Sequence, residues 1–187
     1  MFCRYAFDFV RGTLGEMDSN YLEIGVFNGD SIAQLAQMFP SKTIVACDPF
    51  IEDGCTNQHS GVETGSPMNA QRNSTMSLIK PYTNITFFEM KSSEMLDILT
   101  DAHAEELNVG IVLVDGDHHM DNVVVDYKLA MKLIGKKPGY IIFDDFAAEH
   151  TEVKFAVAEF EQVFKDRIEG VNLQDHNVPI FKIKAAE

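Results

Sequence analysis

Tyr21-Leu-Glu-Ile-Gly-Val-Phe-Asn-Gly-Asp-Ser31 is the stretch whose reading decides the fold. A short apolar strand runs through Glu23 into Gly25 and Gly29, just before a helix opens. A strand-to-helix turn uses glycine where the backbone must bend sharply, or where a ligand approaches with no Cβ in the way. Downstream, Thr43-Ile-Val-Ala-Cys-Asp48 reads as a second strand that closes on a carboxylate. The separation from the turn is roughly twenty residues, at which an acidic side chain reaches the ribose hydroxyls of a bound nucleotide. A plain tight connection is the alternative for the glycines, and the acidic partners Glu23 and Asp48 weigh toward a ligand crevice.

Outward from this turn, the pattern alternates between strands and helices. Strands are expected at 21–24, 43–47, 85–90, 110–114 and 140–143, with helices at 30–38, 68–79, 93–100, 121–134 and 151–165. Such alternation implies a parallel sheet covered on both faces. Residues 4–14 read as a short amphipathic helix with Tyr5, Phe9 and Val10 near one face, ended by Gly15, that covers part of the sheet. The chain closes differently. The runs 167–173 and 178–184 are separated only by Gln174-Asp-His-Asn177, too short for a crossover, so an antiparallel hairpin is expected. The fold class is therefore α/β, doubly wound and mostly parallel, with one domain over residues 1–187. The irregular stretch from Pro49 to Pro67 follows the second strand on the ligand side and reads either as a lid over the substrate or as a plain connecting loop.

Composition narrows the partners. A net charge of -14 without a clustered Lys/Arg run argues against nucleic acid and for a small-molecule substrate. Cys3, Cys47 and Cys55 are an odd number without metal-site spacing, and Cys47 lies in an apolar strand, so neither disulfides nor a cysteine–zinc site is expected. Arg4, Asp8 and Arg11 interrupt any signal-peptide core, and no apolar run approaches membrane-spanning length. A soluble cytoplasmic protein, with no membrane partner, is the expectation.

In open parallel sheets, ligands bind beyond the carboxyl ends of the strands. Glu23 and Gly25 stand at the first such end and Asp48 at the second. Ser92 and Ser93 follow the third, Asp115 ends the fourth, and Asp144 and Asp145 end the fifth. Asp115, Asp144 and Asp145 read as oxygen ligands for a hard divalent cation, above all Mg²⁺, because three unpaired carboxylates at adjoining strand ends would repel one another. Helix or turn capping is the alternative for each. His118 and His119 follow Asp115-Gly-Asp117, where a neutral imidazole can remove a hydroxyl proton, and His118 is preferred. His150 is a candidate substrate contact. Asp117 reads as a turn residue, and His59, His103 and His176 as surface residues.

Together Glu23-Ile-Gly-Val-Phe-Asn-Gly-Asp-Ser31, Val114-Asp-Gly-Asp-His118 and Ile142-Phe-Asp-Asp145 resemble the class I S-adenosylmethionine-dependent methyltransferases. Within that class, the chain is similar to the metal-dependent small-molecule O-methyltransferases of the catechol and macrocin types, over about residues 20 to 185. The resemblance implies a seven-stranded sheet whose last two strands form the hairpin. It also implies that Glu23, Gly25, Phe27, Gly29 and Ser31 line the methionine end of the cofactor, that Asp48 holds the ribose, and that Ser92 and Ser93 approach the adenine. The family's metal positions match Asp115, Asp144 and Asp145, although the catechol type has Asn at the position of Asp145. The catechol type also places a lysine where this chain has His118, so either His118 or Asp115 is left to accept the proton.

The expected reaction is Mg-assisted methyl transfer from S-adenosylmethionine to a hydroxyl of a sugar, polyketide or phenolic acceptor, by a monomer or a homo-oligomer. Two rivals stand beside it. One is a nicotinamide-dependent oxidoreductase, against which the Gly25–Gly29 spacing counts. The other is a catalytically silent S-adenosylmethionine-binding module.

Overall fold

A computed structural model describes residues 4–50, 68–147, 149–172 and 177–186. Most of the Pro49–Pro67 stretch, the hairpin tip at 173–176, and Cys3, Cys55, His59 and His176 lie outside the described residues. The elements follow in chain order as α1 (Arg4–Leu14), β1 (Asn20–Ile24), α2 (Asp30–Met38), β2 (Ile44–Cys47), α3 (Met68–Ile79), β3 (Ile85–Phe88), α4 (Ser92–Ile98), α5 (Asp101–Leu107), β4 (Val109–Val114), α6 (Met120–Ile134), β5 (Gly139–Phe143), α7 (Thr151–Val163), β6 (Ile168–Asn172) and β7 (Ile180–Ile183). The seven strands form one sheet in the order β3-β2-β1-β4-β5-β7-β6. Pairings from β3 through β5 are parallel, whereas β7 runs antiparallel to both β5 and β6. The expected hairpin is thus in place, with β7 inserted between β5 and β6.

Side-chain alternation along each strand divides the core in two. Tyr21, Ile44, Ala46, Ile111, Leu113 and Ile142 face a cluster with Val10 and Leu14 of α1, Ile32 and Leu35 of α2, and Ile79 of α3. Leu22, Ile24, Val45, Val112 and Ile141 face the opposite way, toward Met95 of α4, Ala104 of α5, Tyr127 and Leu133 of α6, and Phe160 of α7. The central strands are apolar on both faces because helices cover both, as a doubly wound sheet requires. Helix α1 does cover part of the sheet, and its Phe9 meets Tyr140 of β5 edge-on with ring centroids 5.2 Å apart.

Helix α5 was not expected, and the preceding helix is correspondingly shorter than 93–100. Leu99 leaves helical geometry, with ψ 123°, and Thr100 caps a new helix by accepting from the His103 backbone N–H at 3.2 Å. A capped restart within one polar-apolar pattern leaves the periodicity almost unbroken. Among the described residues, no helix is long and apolar enough to cross a membrane.

Candidate functional site

Strand register puts the expected site residues side by side. Ile24 pairs with Cys47 on one side and with Val114 on the other, and Val114 pairs with Phe143. Each following residue extends the ladder. Gly25 N–H donates to Cys47 O at 3.0 Å, Asp48 N–H to Phe88 O at 3.2 Å, Asp115 N–H to Ile24 O at 2.9 Å and Asp144 N–H to Val114 O at 3.0 Å. Gly25, Asp48, Asp115 and Asp144 therefore occupy one rung at the carboxyl edge. Between β1 and β4 the strand order reverses, so the loop after β1 leads to α2 on one face and the loop after β4 leads to α6 on the other. A crevice opens where the two part.

The glycine turn is built by close approach. Gly25 has φ +85°, and a Cβ there would lie 2.0 Å from the Asp115 carbonyl oxygen. Phe27, with φ 51°, holds a left-handed conformation uncommon for an aromatic residue and is 62% exposed on the turn. Buried Thr75 of α3 fastens this turn by donating to the Phe27 carbonyl at 3.0 Å. Asp48 fastens it from the other side. Its Oδ2 accepts from Val26 N–H at 2.8 Å and Phe27 N–H at 3.2 Å, while Oδ1 accepts from Phe50 N–H at 2.7 Å. Among the described residues only Phe50 N–H donates to Oδ1, which has a second acceptor position that a ligand hydroxyl can use.

Glu23 is buried beneath this turn. It accepts from the Tyr21 hydroxyl at 2.8 Å and from the Ser31 hydroxyl. Burial pushes its carboxyl up to about 7, the bonds from Ser31 and Tyr21 pull it down, and the charges of Asp48 and Asp144 add to the rise. Beyond β3, the Ser92 hydroxyl bonds to the buried carboxylate of Asp126 on α6, and Ser93 is exposed. Cys47 is no nucleophile, since burial, with Asp126, Asp48 and Glu94 nearby, pushes its thiol up to about 12.

On the other side of the crevice, Asp115 is half-buried. Burial, then the charges of Asp144, Glu23 and Asp145, raise its carboxyl well above the usual aspartate range. Asp145 takes a left-handed φ of 54°, and its Oδ2 lies 2.9 Å from His118 Nε2. That hydrogen bond holds Asp145 below its ordinary range and His118 above the imidazole's 6.5. The His118 and His150 rings lie 4.3 Å apart. Donor atoms of His118, Asp145 and His150 all fall within 4.8 Å of one another, and this group does not include Asp115 or Asp144. A magnesium ion prefers a near-octahedral shell of oxygens. Of the three aspartates expected to hold a metal, Asp145 is bonded to His118, and Asp115 and Asp144 lie together on the strand-end rung. Asp117 is a turn residue, accepting from His119 N–H at 2.9 Å and from Asn122 Nδ2 at 2.9 Å.

The structure thus gathers Glu23, Gly25, Phe27, Gly29, Ser31 and Asp48 around one turn, with Asp115 and Asp144 on its rung. It ties Ser92 to α6 and separates Asp145 toward His118. Sequence reasoning missed Tyr21, Thr75 and Asp126. Only Tyr21 carried a signal, since it lies two residues before Glu23 and so on the same face of β1.

A family model described as a methyltransferase domain matches residues 22–146. An uncharacterized protein of Acanthamoeba polyphaga mimivirus is 28% identical over 134 residues, 72% of this chain and 54% of its own length, so the chain spans about half of that relative. Among solved structures, a candidate caffeoyl-CoA O-methyltransferase from Staphylococcus aureus superposes with a TM-score of 0.66 at 14% identity, covering 99% of this chain and 85% of that one. The O-methyltransferase TomG from Streptomyces achromogenes, involved in tomaymycin synthesis and solved with S-adenosylmethionine, superposes with a TM-score of 0.63 at 14% identity, covering 97% and 78%. With its domain match, its sheet order and its crevice between β1 and β4, the chain belongs to the class I methyltransferase-domain family.

Proposed function

We propose that the protein transfers a methyl group from S-adenosylmethionine to a hydroxyl of a small molecule of the sugar, polyketide or phenolic kind. The observation that carries this reading is the single rung of Gly25, Asp48, Asp115 and Asp144 at the switch point. The residues suit the cofactor. Its ammonium and sulfonium groups are cationic, and carboxylates of Asp48, Asp115 and Asp144 stand along the crevice with the buried Glu23 beneath it, beside a glycine that lets the backbones of the β1 and β4 ends close on one another. When bound, the cofactor supplies a methyl group on a sulfonium that leaves as a neutral thioether.

In this reading the chain's own residues hold and deprotonate. The Gly25–Gly29 turn, locked by Asp48 and Thr75, positions the cofactor's methionine end, while Oδ1 of Asp48 accepts from the ribose. Exposed Phe27 covers the crevice rim and excludes water. Asp115, across from Gly25, accepts the hydroxyl proton as the acceptor oxygen takes the methyl group, and its raised proton affinity suits a general base. Alignment of oxygen, methyl and sulfur supplies much of the acceleration. Were magnesium to bind, Asp115, Asp144 and Asp145 would be its ligands, and it would acidify the acceptor hydroxyl.

Calorimetry with S-adenosylmethionine and turnover against a panel of hydroxyl acceptors test the proposal. Micromolar binding, about -8 kcal/mol, is expected for the wild type. Asp115→Asn should retain that binding and lose turnover at least about 100-fold, the scale of a general base. Absence of binding would sink the reading. Binding without turnover across the panel would favour a silent cofactor-binding module, and NADH binding in place of S-adenosylmethionine would favour the oxidoreductase.

A further inference from the structure

We infer that His118, Asp145 and His150 form a site for one imidazole-accepting divalent cation of the zinc, cobalt or nickel kind. The three residues come from two connections, His118 from the loop after β4, and Asp145 and His150 from the loop between β5 and α7. Their donor atoms nonetheless fall within 4.8 Å of one another. Three ligands bonded to one tetrahedral ion stand about 3.3 Å apart. His118 Nε2 and Asp145 Oδ2, at 2.9 Å, are already near that spacing, and a ring nitrogen of His150 lies within 4.8 Å of both.

Chemistry selects the class of ion. Two imidazoles and one carboxylate suit late first-row metals, whereas Mg²⁺ takes oxygens and retains its waters. Access is open, because the side chains of His118 and Asp145 are 42% and 43% exposed. An ion held by three protein ligands keeps at least one position for water or an acceptor oxygen. The site lies three residues along the chain from Asp115, yet the inference does not depend on methyl transfer.

The test uses the full chain, free of any histidine tag and stripped with a chelator. Co²⁺ is titrated by visible absorption, and Zn²⁺ competition is followed by calorimetry. One Co²⁺ per chain is expected, with a d–d band that a thousandfold excess of Mg²⁺ does not remove. His150→Ala and Asp145→Asn should each weaken Co²⁺ binding at least tenfold while keeping the wild-type circular dichroism, and His119→Ala should bind as the wild type does. No stoichiometric band, equal binding by His150→Ala, or displacement by that excess of Mg²⁺ would overturn the site. S-adenosylmethionine binding is measured separately on the stripped chain, so failure of the metal site and failure of the methyltransferase reading are distinguishable.

Discussion

Gly25 and Asp115 press their backbones together so closely that a Cβ on Gly25 would stand 2.0 Å from the Asp115 carbonyl oxygen. One glycine thereby joins the two halves of the crevice. Gly25→Ala must also hold a left-handed φ, which costs a β-carbon about 1–2 kcal/mol, before the overlap with Asp115 is relieved. The variant should lose at least about 2 kcal/mol of stability and more than tenfold in S-adenosylmethionine affinity. Denaturant melts and calorimetry check both, and a wild-type crevice in the variant would contradict the close approach.

Asp48 does two things at once, and one substitution separates them. Asp48→Asn keeps the size of the side chain but turns one acceptor oxygen into a donor, facing either the Val26 and Phe27 amides or the Phe50 amide. Loss of hydrogen bonds to a charged acceptor should cost about 1.5–3 kcal/mol. If Asp48 only met ribose, stability of the free protein would stay at the wild-type value while cofactor affinity fell. Melts with and without S-adenosylmethionine decide between the two.

Tyr21→Phe removes the hydroxyl that donates to Glu23 at 2.8 Å inside the core. The acceptor is left buried with Ser31 as its remaining donor among these two, so the expected loss is about 1–3 kcal/mol. Withdrawal of that bond also raises the Glu23 carboxyl further, since the Tyr21 hydroxyl lowers it in the wild type. The variant should bind S-adenosylmethionine more weakly at pH 7 than the wild type and recover part of the difference at pH 8.5, where Glu23 ionises again. A pH-independent difference would remove Glu23 ionisation from the account.

Much of this site was legible because its residues are tied to strand ends. Glu23, Asp48 and Asp115 each follow an apolar run, and a parallel register then sets Asp48 and Asp115 on the rung of Gly25. Asp144 and Asp145 show where such reading stops. As chain neighbours they read as two ligands of one ion, and the pairing of Asp145 Oδ2 with His118 Nε2 at 2.9 Å was not foreseen. A contact between side chains of two different loops leaves no trace in composition. Thr75 was hidden for another reason, as its partner is the Phe27 carbonyl, 48 residues away in the chain. Helix α5 was hidden because only Leu99 and the Thr100 cap separate it from α4.

Asp126 makes stability depend on pH in a direction opposite to that of an ion-paired carboxylate. It is 2% exposed, and burial, offset by the Ser92 hydrogen bond and reinforced by Asp117, pushes its carboxyl up to about 7. In the unfolded chain the same group titrates near about 3.9. Below that value both states hold the proton, and the contribution to stability is fully present. Between pH 4 and 7 the unfolded chain has released its proton while the folded chain keeps it, so stability falls as pH rises through this window. The shift is worth about 4 kcal/mol at most, and Glu23 adds a decline of the same sign. Asp126→Asn keeps an acceptor for Ser92 and removes the titration. Urea unfolding at pH 5 and pH 8 should show a decline at least about 2 kcal/mol smaller in the variant than in the wild type. Parallel declines in the two proteins would mean that Asp126 is already ionised in the fold at pH 5.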